Sequence, residues 1–244
     1  MMLGLDLTAW VLLCCGALIV GISKTALPGA GTLAVAVFAA AMPARESTAT
    51  LLILLLVGDL FAVWMYRRDV DWGILRRLLW PVVAGVVLGT LFLGVSGDDV
   101  VRRVIAVILL ALLGVTLWRR RQESSAPPGR MGGYAYGSLG GFTTMVANAG
   151  GPVMSMYLLA MQLPVKAFLG TAAYFFFAVN LSKLPFHAGL GLLNTTTLTI
   201  AVVLIPLVVI TALIGRMIAE RIPQKLFDRA VLVLTAVGAL YLLV

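Results

Sequence analysis

Apolar segments dominate this chain and determine its fold class. They recur along all 244 residues, and several reach the roughly 17–25 residues that a membrane-spanning helix needs. Only 11% of the residues are charged, whereas a soluble domain carries about 25%. The apolar segments are 7–23, 30–42, 47–66, 78–95, 101–118, 134–147, 152–162, 167–187, 194–217 and 226–243. We therefore predict an all-α polytopic membrane protein.

Six landmark residues occur twice along the chain, in the same order. The pairs are Gly21 with Gly141, Gly31 with Gly151, Pro43 with Pro164, Asp59 with Asn180, Pro81 with Pro206 and Gly89 with Gly215. Their separation grows slowly from 120 to 126 residues, as two copies of one unit with small insertions would produce. We predict an N-terminal repeat, 1–118, and a C-terminal repeat, 134–244, joined by the hydrophilic linker 119–133.

Three apolar segments are too short to cross a bilayer upright. Segments 30–42, 134–147 and 152–162 fall short because a helix rises about 1.5 Å per residue and the hydrocarbon core is about 30 Å thick. Each lies beside a Gly-rich break, which favours broken or re-entrant helix pairs over full spans. Each repeat is then predicted to be one such pair followed by three transmembrane helices.

The distribution of Lys and Arg predicts the orientation. With the linker in the cytoplasm, twelve basic residues fall on the inner side and three on the outer side, as the positive-inside rule requires. An odd number of crossings in each repeat makes the two repeats insert upside down relative to each other, an arrangement common among secondary transporters. We expect a multi-pass protein of a bacterial inner membrane with both termini on the outer side.

Both breaks combine features suited to an anion. Glycine lets backbone N–H groups approach a ligand closely, and the first N–H groups of a helix have no partner within it. Inverted-repeat transporters bind their substrates near the bilayer midplane, where the N-terminal ends of discontinuous helices face anionic groups. Ordinary close packing of helices is the alternative interpretation. The candidate binding residues are Gly29, Gly31 and Thr32 at the first break and Thr144, Asn148, Gly150 and Gly151 at the second.

Polar side chains inside the apolar segments are further candidates, because intramembrane charges are costly and usually functional. Asp59 and its repeat partner Asn180 are candidates for coupling. A carboxylate at this depth either carries a proton or forms a structural ion pair with Lys24 or Lys183. Lys183 lies one turn after Asn180, on the same helix face. Both lysines either offer positive charge to an anion or extend to the membrane surface.

Three groups of residues make the chain resemble the sulfite exporter TauE/SafE family. They are the Gly-rich break in each half, the run Asn180-Leu181-Ser182-Lys183 followed by Pro185, and the helix with Pro81, Gly85 and Gly89. The resemblance covers nearly the whole chain and implies a permease that exports small sulfur-containing anions, such as sulfite or organosulfonates. It also suggests a homodimer. We expect alternating access, with the anion held between the two breaks and Asp59 setting a coupling to protons.

Other classes of function are weighed against this one. A passive anion channel, or a permease for an unrelated organic anion, would share most of these features. An enzyme is not expected, because the chain has no HExxH or GxSxG motif and no P-loop for ATP. The +8 net charge comes from basic residues between the spans, so we expect the lipid bilayer and no nucleic acid as a partner. No cofactor and no metal are predicted.

Overall fold

The computed structural model describes residues 5–95, 128–148, 150–189 and 191–241, with residues 107 and 114. Those four ranges contain nine α-helices, one 3₁₀ turn and no strand. The elements are α1 (Leu7–Thr25), the 3₁₀ turn (Pro28–Ala30), α2 (Gly31–Ala41), α3 (Ala44–Tyr66), α4 (Trp72–Val95), α5 (Arg130–Ala147), α6 (Gly150–Ala160), α7 (Val165–Gly189), α8 (Thr195–Arg221) and α9 (Gln224–Tyr241). Helices α1, α3, α4, α7 and α8 are long and apolar enough to cross a membrane. The protein is therefore a multi-pass, all-helical membrane protein.

Two helices begin four or more residues earlier than their apolar segments predict. Helix α4 starts at Trp72 because the Asp71 carboxylate caps it, accepting a hydrogen bond from the Ile74 N–H at 3.0 Å. Helix α5 starts at Arg130, so four residues of the predicted linker are helical. Hydropathy detects only the apolar part of a helix, and its polar first turn is missed. The predicted span 101–118 lies outside the described residues, apart from residues 107 and 114.

Each Gly-rich break turns the chain back on itself. Along the first pair, Gly16 of α1 faces Phe38 of α2, and near the break Gly31 faces Ser23, so α2 runs antiparallel to α1. Along the second pair, the Tyr136 and Tyr157 rings lie 5.5 Å apart, and α6 returns along α5 in the same way. Helices α2 and α6 have eleven residues each, as short as their sequences predict. The two pairs are helical hairpins.

Helices α4 and α5 cross at very close range. Gly85 and Gly89 of α4 contact the α5 backbone at Ser138 and Phe142, and Gly141 of α5 contacts the Val82 carbonyl in return. Small residues four positions apart let two membrane helices approach until their backbones touch. The crossing joins the first half of the chain to the second.

The crossing of α1 and α8 repeats this arrangement. Gly21 of α1 faces Val208 and Thr211 of α8, and Gly215 of α8 faces Thr25 of α1. The sequence landmarks Gly21, Gly89, Gly141 and Gly215 therefore all lie at the two close crossings. They mark the points where one half of the chain packs on the other.

The buried apolar residues form two cores, and each core contains helices from both halves. One core is built by α1, α2, α3 and α8. The other is built mainly by α4, α5, α6, α7 and α9. Helices α3 and α7 lie antiparallel between them, because Gly170 near the start of α7 contacts Tyr66 at the end of α3 while Asn180 bonds to Asp59.

Replacing Gly141 with alanine tests the α4–α5 crossing. The new Cβ would overlap the Val82 carbonyl, so we expect Gly141→Ala to destabilise the protein by about 1–3 kcal/mol in an unfolding titration in detergent. Gly189→Ala is the matched control, since no described atom from another part of the fold lies within 4 Å of an added Cβ there. Equal stability of the two variants would contradict the close crossing.

Candidate functional site

The tips of the two hairpins meet in the interior. A Cβ added to Gly151, at the start of α6, would lie 3.1 Å from the Pro28 carbonyl oxygen in the 3₁₀ turn before α2. The second break is made by Asn148, whose left-handed backbone (φ 52°) ends α5. Asparagine is one of the few residues that adopt this conformation readily. The starts of α2 and α6 are thereby brought to the same place.

A small cavity lies at this meeting point. It encloses about 30 Å³, enough for about two water molecules. Polar side chains, glycines and apolar side chains from both hairpins, α3 and α7 surround it. The lining residues are Ser23, Lys24, Pro28, Gly31, Thr32, Leu55, Asp59, Thr144, Asn148, Gly151, Ala172, Ala173, Phe176 and Asn180.

An ion pair and an amide bridge connect α1, α3 and α7 beside the cavity. Lys24 Nζ lies 2.7 Å from Asp59 Oδ1, and Asn180 donates from Nδ2 to Asp59 Oδ2 at 2.7 Å. Both Asp59 and Asn180 are buried. A carboxylate without partners would be very costly here, and these two contacts offset that cost.

Lys183 extends the same network to the second break. Its ammonium group donates to Asn148 Oδ1 at 2.6 Å, to Asn180 Oδ1 at 3.1 Å and to Thr144 Oγ1 at 3.2 Å. Its side chain is directed inward and is 1% exposed, so it does not extend to the membrane surface. The network therefore runs without interruption from Lys24 on α1 to Asn148 at the end of α5.

Lys24 reaches the cavity across the face of α3. Its Cγ would lie 2.9 Å from a Cβ at Gly58, so the absence of a side chain there makes room for it. Its ammonium group also lies 4.7 Å from the centre of the Phe176 ring, a cation–π distance. The side chain is 10% exposed and borders the cavity.

The electrostatics of this site favour an anion. In their ordinary charge states, Lys24, Lys183 and Asp59 leave one excess positive charge in the network. No side chain caps the start of α2, which borders the cavity, so its positive end is directed at this space. Among the described residues, no three His, Cys, Asp or Glu side chains cluster as a metal site would require.

Most residues singled out from the sequence lie together here. Eight of them line the cavity: Lys24, Gly31, Thr32, Asp59, Thr144, Asn148, Gly151 and Asn180. The remaining three lie next to it: Lys183 bonds to three of these residues, Gly150 packs on Thr144, and Gly29 is in the 3₁₀ turn. The sequence analysis did not include Ser23 and Phe176, which also line the cavity. Phe176 lies four positions before Asn180, and this helical spacing was the signal for it.

Comparison with known proteins assigns the family. The family model described as sulfite exporter TauE/SafE matches residues 13–242. The chain belongs to this family. The expected resemblance is thus confirmed over nearly the whole length, and the family is one of membrane transporters for sulfur-containing anions. The chain has no significant match among curated proteins or among solved structures.

Proposed function

We propose that this TauE/SafE protein is a secondary transporter that exports a small sulfur-containing anion, such as sulfite or an organosulfonate. The observation that carries the proposal is the cavity between the hairpin tips, which combines an excess positive charge with amide and hydroxyl groups in an apolar interior. A transported anion needs such a site to replace its hydration shell. The small volume of the cavity suits a compact head group such as a sulfite or sulfonate group.

The proposed binding residues come from both breaks. Gly29, Gly31 and Thr32 would border the anion on one side. The Gly31 N–H donates to the Pro28 carbonyl, so the backbone donors proposed there are the N–H groups of Gly29 and Thr32. Asn148, Gly150, Gly151 and Thr144 would approach the anion from the other side, with positive charge from Lys24 and Lys183. The two tips are close enough for one anion to contact both. Binding between the two breaks also places the anion where a relative movement of the two hairpin tips would open or close the path from the site to either side of the membrane.

We further propose that the repeats 1–118 and 134–244 have inverted topology, joined by the cytoplasmic linker 119–133, with both termini outside. The antiparallel arrangement of α3 and α7 supports this, because equivalent helices of an inverted pair run in opposite directions. So does the contact between Asp59 and Asn180, which are themselves a repeat pair. Two equivalent residues can touch only where they lie near the axis that relates the repeats.

The two units that would move relative to each other during transport are the two cores, rather than the two halves of the sequence. Helix α8 packs in the core of α1, α2 and α3, and α4 packs with α5 in the other core. Each unit therefore includes a helix from the other half of the sequence. Backbone contacts at Gly21 and Gly141 make the α1–α8 and α4–α5 crossings hard to separate. The units would therefore rock about α3 and α7, where the anion site lies.

Asp59 is the proposed coupling residue. It faces Lys24 of α1 directly, and Asn180 connects it to Lys183 of α7. The other helices in the same core as α3 are α2 and α8. The sequence of α2 contains no titratable residue, and the titratable residues of α8 lie near the end of that helix, at Arg216, Glu220 and Arg221. A proton taken up by Asp59 would release Lys24 for the anion, so that the proton and the anion cross the membrane together. Export by this coupling then requires an outward anion gradient that exceeds the opposing pH gradient.

Anion binding is tested by thermal unfolding of the detergent-solubilised protein with sulfite, sulfate, thiosulfate, sulfoacetate, taurine, acetate or chloride. A ligand at a hundredfold excess over its Kd should stabilise the protein by about 2.7 kcal/mol. We expect one sulfur-containing anion to stabilise the wild type by this amount and to leave the stability of Asn148→Leu unchanged. Gln162→Leu is the matched control, because Gln162 also has a left-handed backbone (φ 55°) but lies outside the cavity. No stabilisation by any sulfur anion would contradict the proposal.

Proton coupling is tested by uptake of an ionised sulfonate, such as methanesulfonate, into proteoliposomes. With one proton moving per anion, an external pH one unit below the internal pH should sustain about tenfold accumulation. Asp59→Asn should transport without responding to the gradient, whereas Glu220→Gln, an exposed carboxylate, should behave as the wild type. Saturable but gradient-independent wild-type uptake would exclude Asp59 as the coupling group, and unsaturable flux would indicate a channel.

A further inference from the structure

We propose that the two buried lysines have different roles. Lys24 binds the transported anion directly, and Lys183 is a positioning residue that holds the second break in shape. This inference rests on the proposed function, because it assigns roles within the same anion site. The two side chains carry the same charge, and both are inside the protein, so only their surroundings can distinguish them.

The ammonium group of Lys183 has no free donor for a ligand. A lysine ammonium has three N–H donors and no acceptor. Three oxygens lie within hydrogen-bonding distance of Lys183 Nζ, those of Asn148 at 2.6 Å, Asn180 at 3.1 Å and Thr144 at 3.2 Å. The side chain is 1% exposed and does not line the cavity. An anion could reach this lysine only by displacing one of its three partners, of which Thr144 and Asn180 are buried.

Lys24 differs in each of these respects. Within the described part of the chain, its ammonium group has one anionic partner, Asp59 at 2.7 Å, and also lies 4.7 Å from the centre of the Phe176 ring. Neither an ion pair with one oxygen nor a cation–π contact uses all three N–H donors. The side chain is 10% exposed, and it lines the cavity together with Gly31 and Gly151. An anion in the cavity therefore meets Lys24 first.

The contacts of Lys183 explain its role as a positioning residue. Asn148 ends α5 in a left-handed conformation and leads into α6, so its side-chain position determines how the break is shaped. The bond from Lys183 ties that side chain to α7, and the bond to Thr144 ties the last turn of α5 to the same point. Lys183 therefore fixes the last turn of α5 and the break residue Asn148 without contacting the anion.

This division gives Lys24 two alternative anionic partners, Asp59 and the substrate. In the empty site the Asp59 carboxylate balances its charge. When an anion binds, Lys24 faces two negative groups in an apolar interior, and protonation of Asp59 removes one of them and leaves Lys24 paired with the anion. Lys183 does not take part in this exchange, because its partners are all neutral oxygens.

Restoration of a lysine-like side chain tests the assignment. The variants Lys24→Cys and Lys183→Cys are made with Cys14→Ala and Cys15→Ala, which remove the two native thiols. Treatment with 2-bromoethylamine forms a carbon–sulfur bond, expels bromide and leaves an ammonium side chain of nearly lysine length. Iodoacetamide provides the neutral control. The readout is the KM and kcat of methanesulfonate uptake into proteoliposomes.

We expect Lys24→Cys to raise KM by about tenfold or more, since it removes a direct charge contact. Aminoethylation should restore KM, and the neutral adduct should not. Lys183→Cys should lose kcat and thermal stability with KM changed by about threefold or less. The reagent should not reach its buried thiol in the folded protein. A KM that rises tenfold in Lys183→Cys and stays unchanged in Lys24→Cys would overturn the assignment.

Two further variants keep the test decisive if folding fails. Lys24→Cys leaves Asp59 without a cation, so the same replacement is made together with Asp59→Asn, and rescue of KM is measured there. Lys183→Gln keeps an N–H donor for Asn148 and should retain near-normal KM. Failure of the proposed function appears as absent anion uptake in the wild type, whereas failure of this inference appears only in the variants, with wild-type transport intact.

Discussion

A carboxylate and two ammonium groups in the apolar interior are the constraint on which the rest of this structure depends. Asp59 is tolerable there only because Lys24 and Asn180 both contact it, and those residues belong to different helices from different halves of the chain. The three helices must therefore stay in one arrangement. Because the formal charges leave one excess cation, the same network that stabilises the interior also suits the anion that we propose as substrate.

Small residues make this arrangement geometrically possible. Gly21 lets α1 cross α8 at backbone contact, and Gly141 lets α5 cross α4 in the same way. Gly58 leaves space for the side chain of Lys24 to reach Asp59. The absence of a side chain at Gly151 likewise lets it lie close to Pro28, so that two helix starts border one cavity. Close packing and ligand binding were alternative interpretations of the glycines in the sequence. In the structure, Gly21 and Gly141 serve close packing, whereas Gly31 and Gly151 border the cavity.

Most of the secondary structure was predictable because the bilayer limits a chain to few solutions, and apolar segment length reveals the spans directly. The predicted repeat also paired Asp59 with Asn180, two polar residues that the structure brings into contact. The partners of each lysine were not predictable. Lys24 and Lys183 look equivalent in sequence, and only contacts across more than thirty residues, such as Lys183 with Asn148, separate their roles. Likewise, no local pattern indicates that α8 packs with the first half.

The most direct test of the central claim is to locate a bound anion between the two hairpin tips. Crystals of protein containing ordinary methionine, soaked with selenite as an analogue of sulfite, would give anomalous scattering from selenium alone. We predict a single strong peak in the cavity, within hydrogen-bonding distance of Lys24 Nζ and of the first N–H groups of α2 or α6. A peak elsewhere in the membrane interior, with this cavity empty in protein that transports the anion, would contradict this prediction.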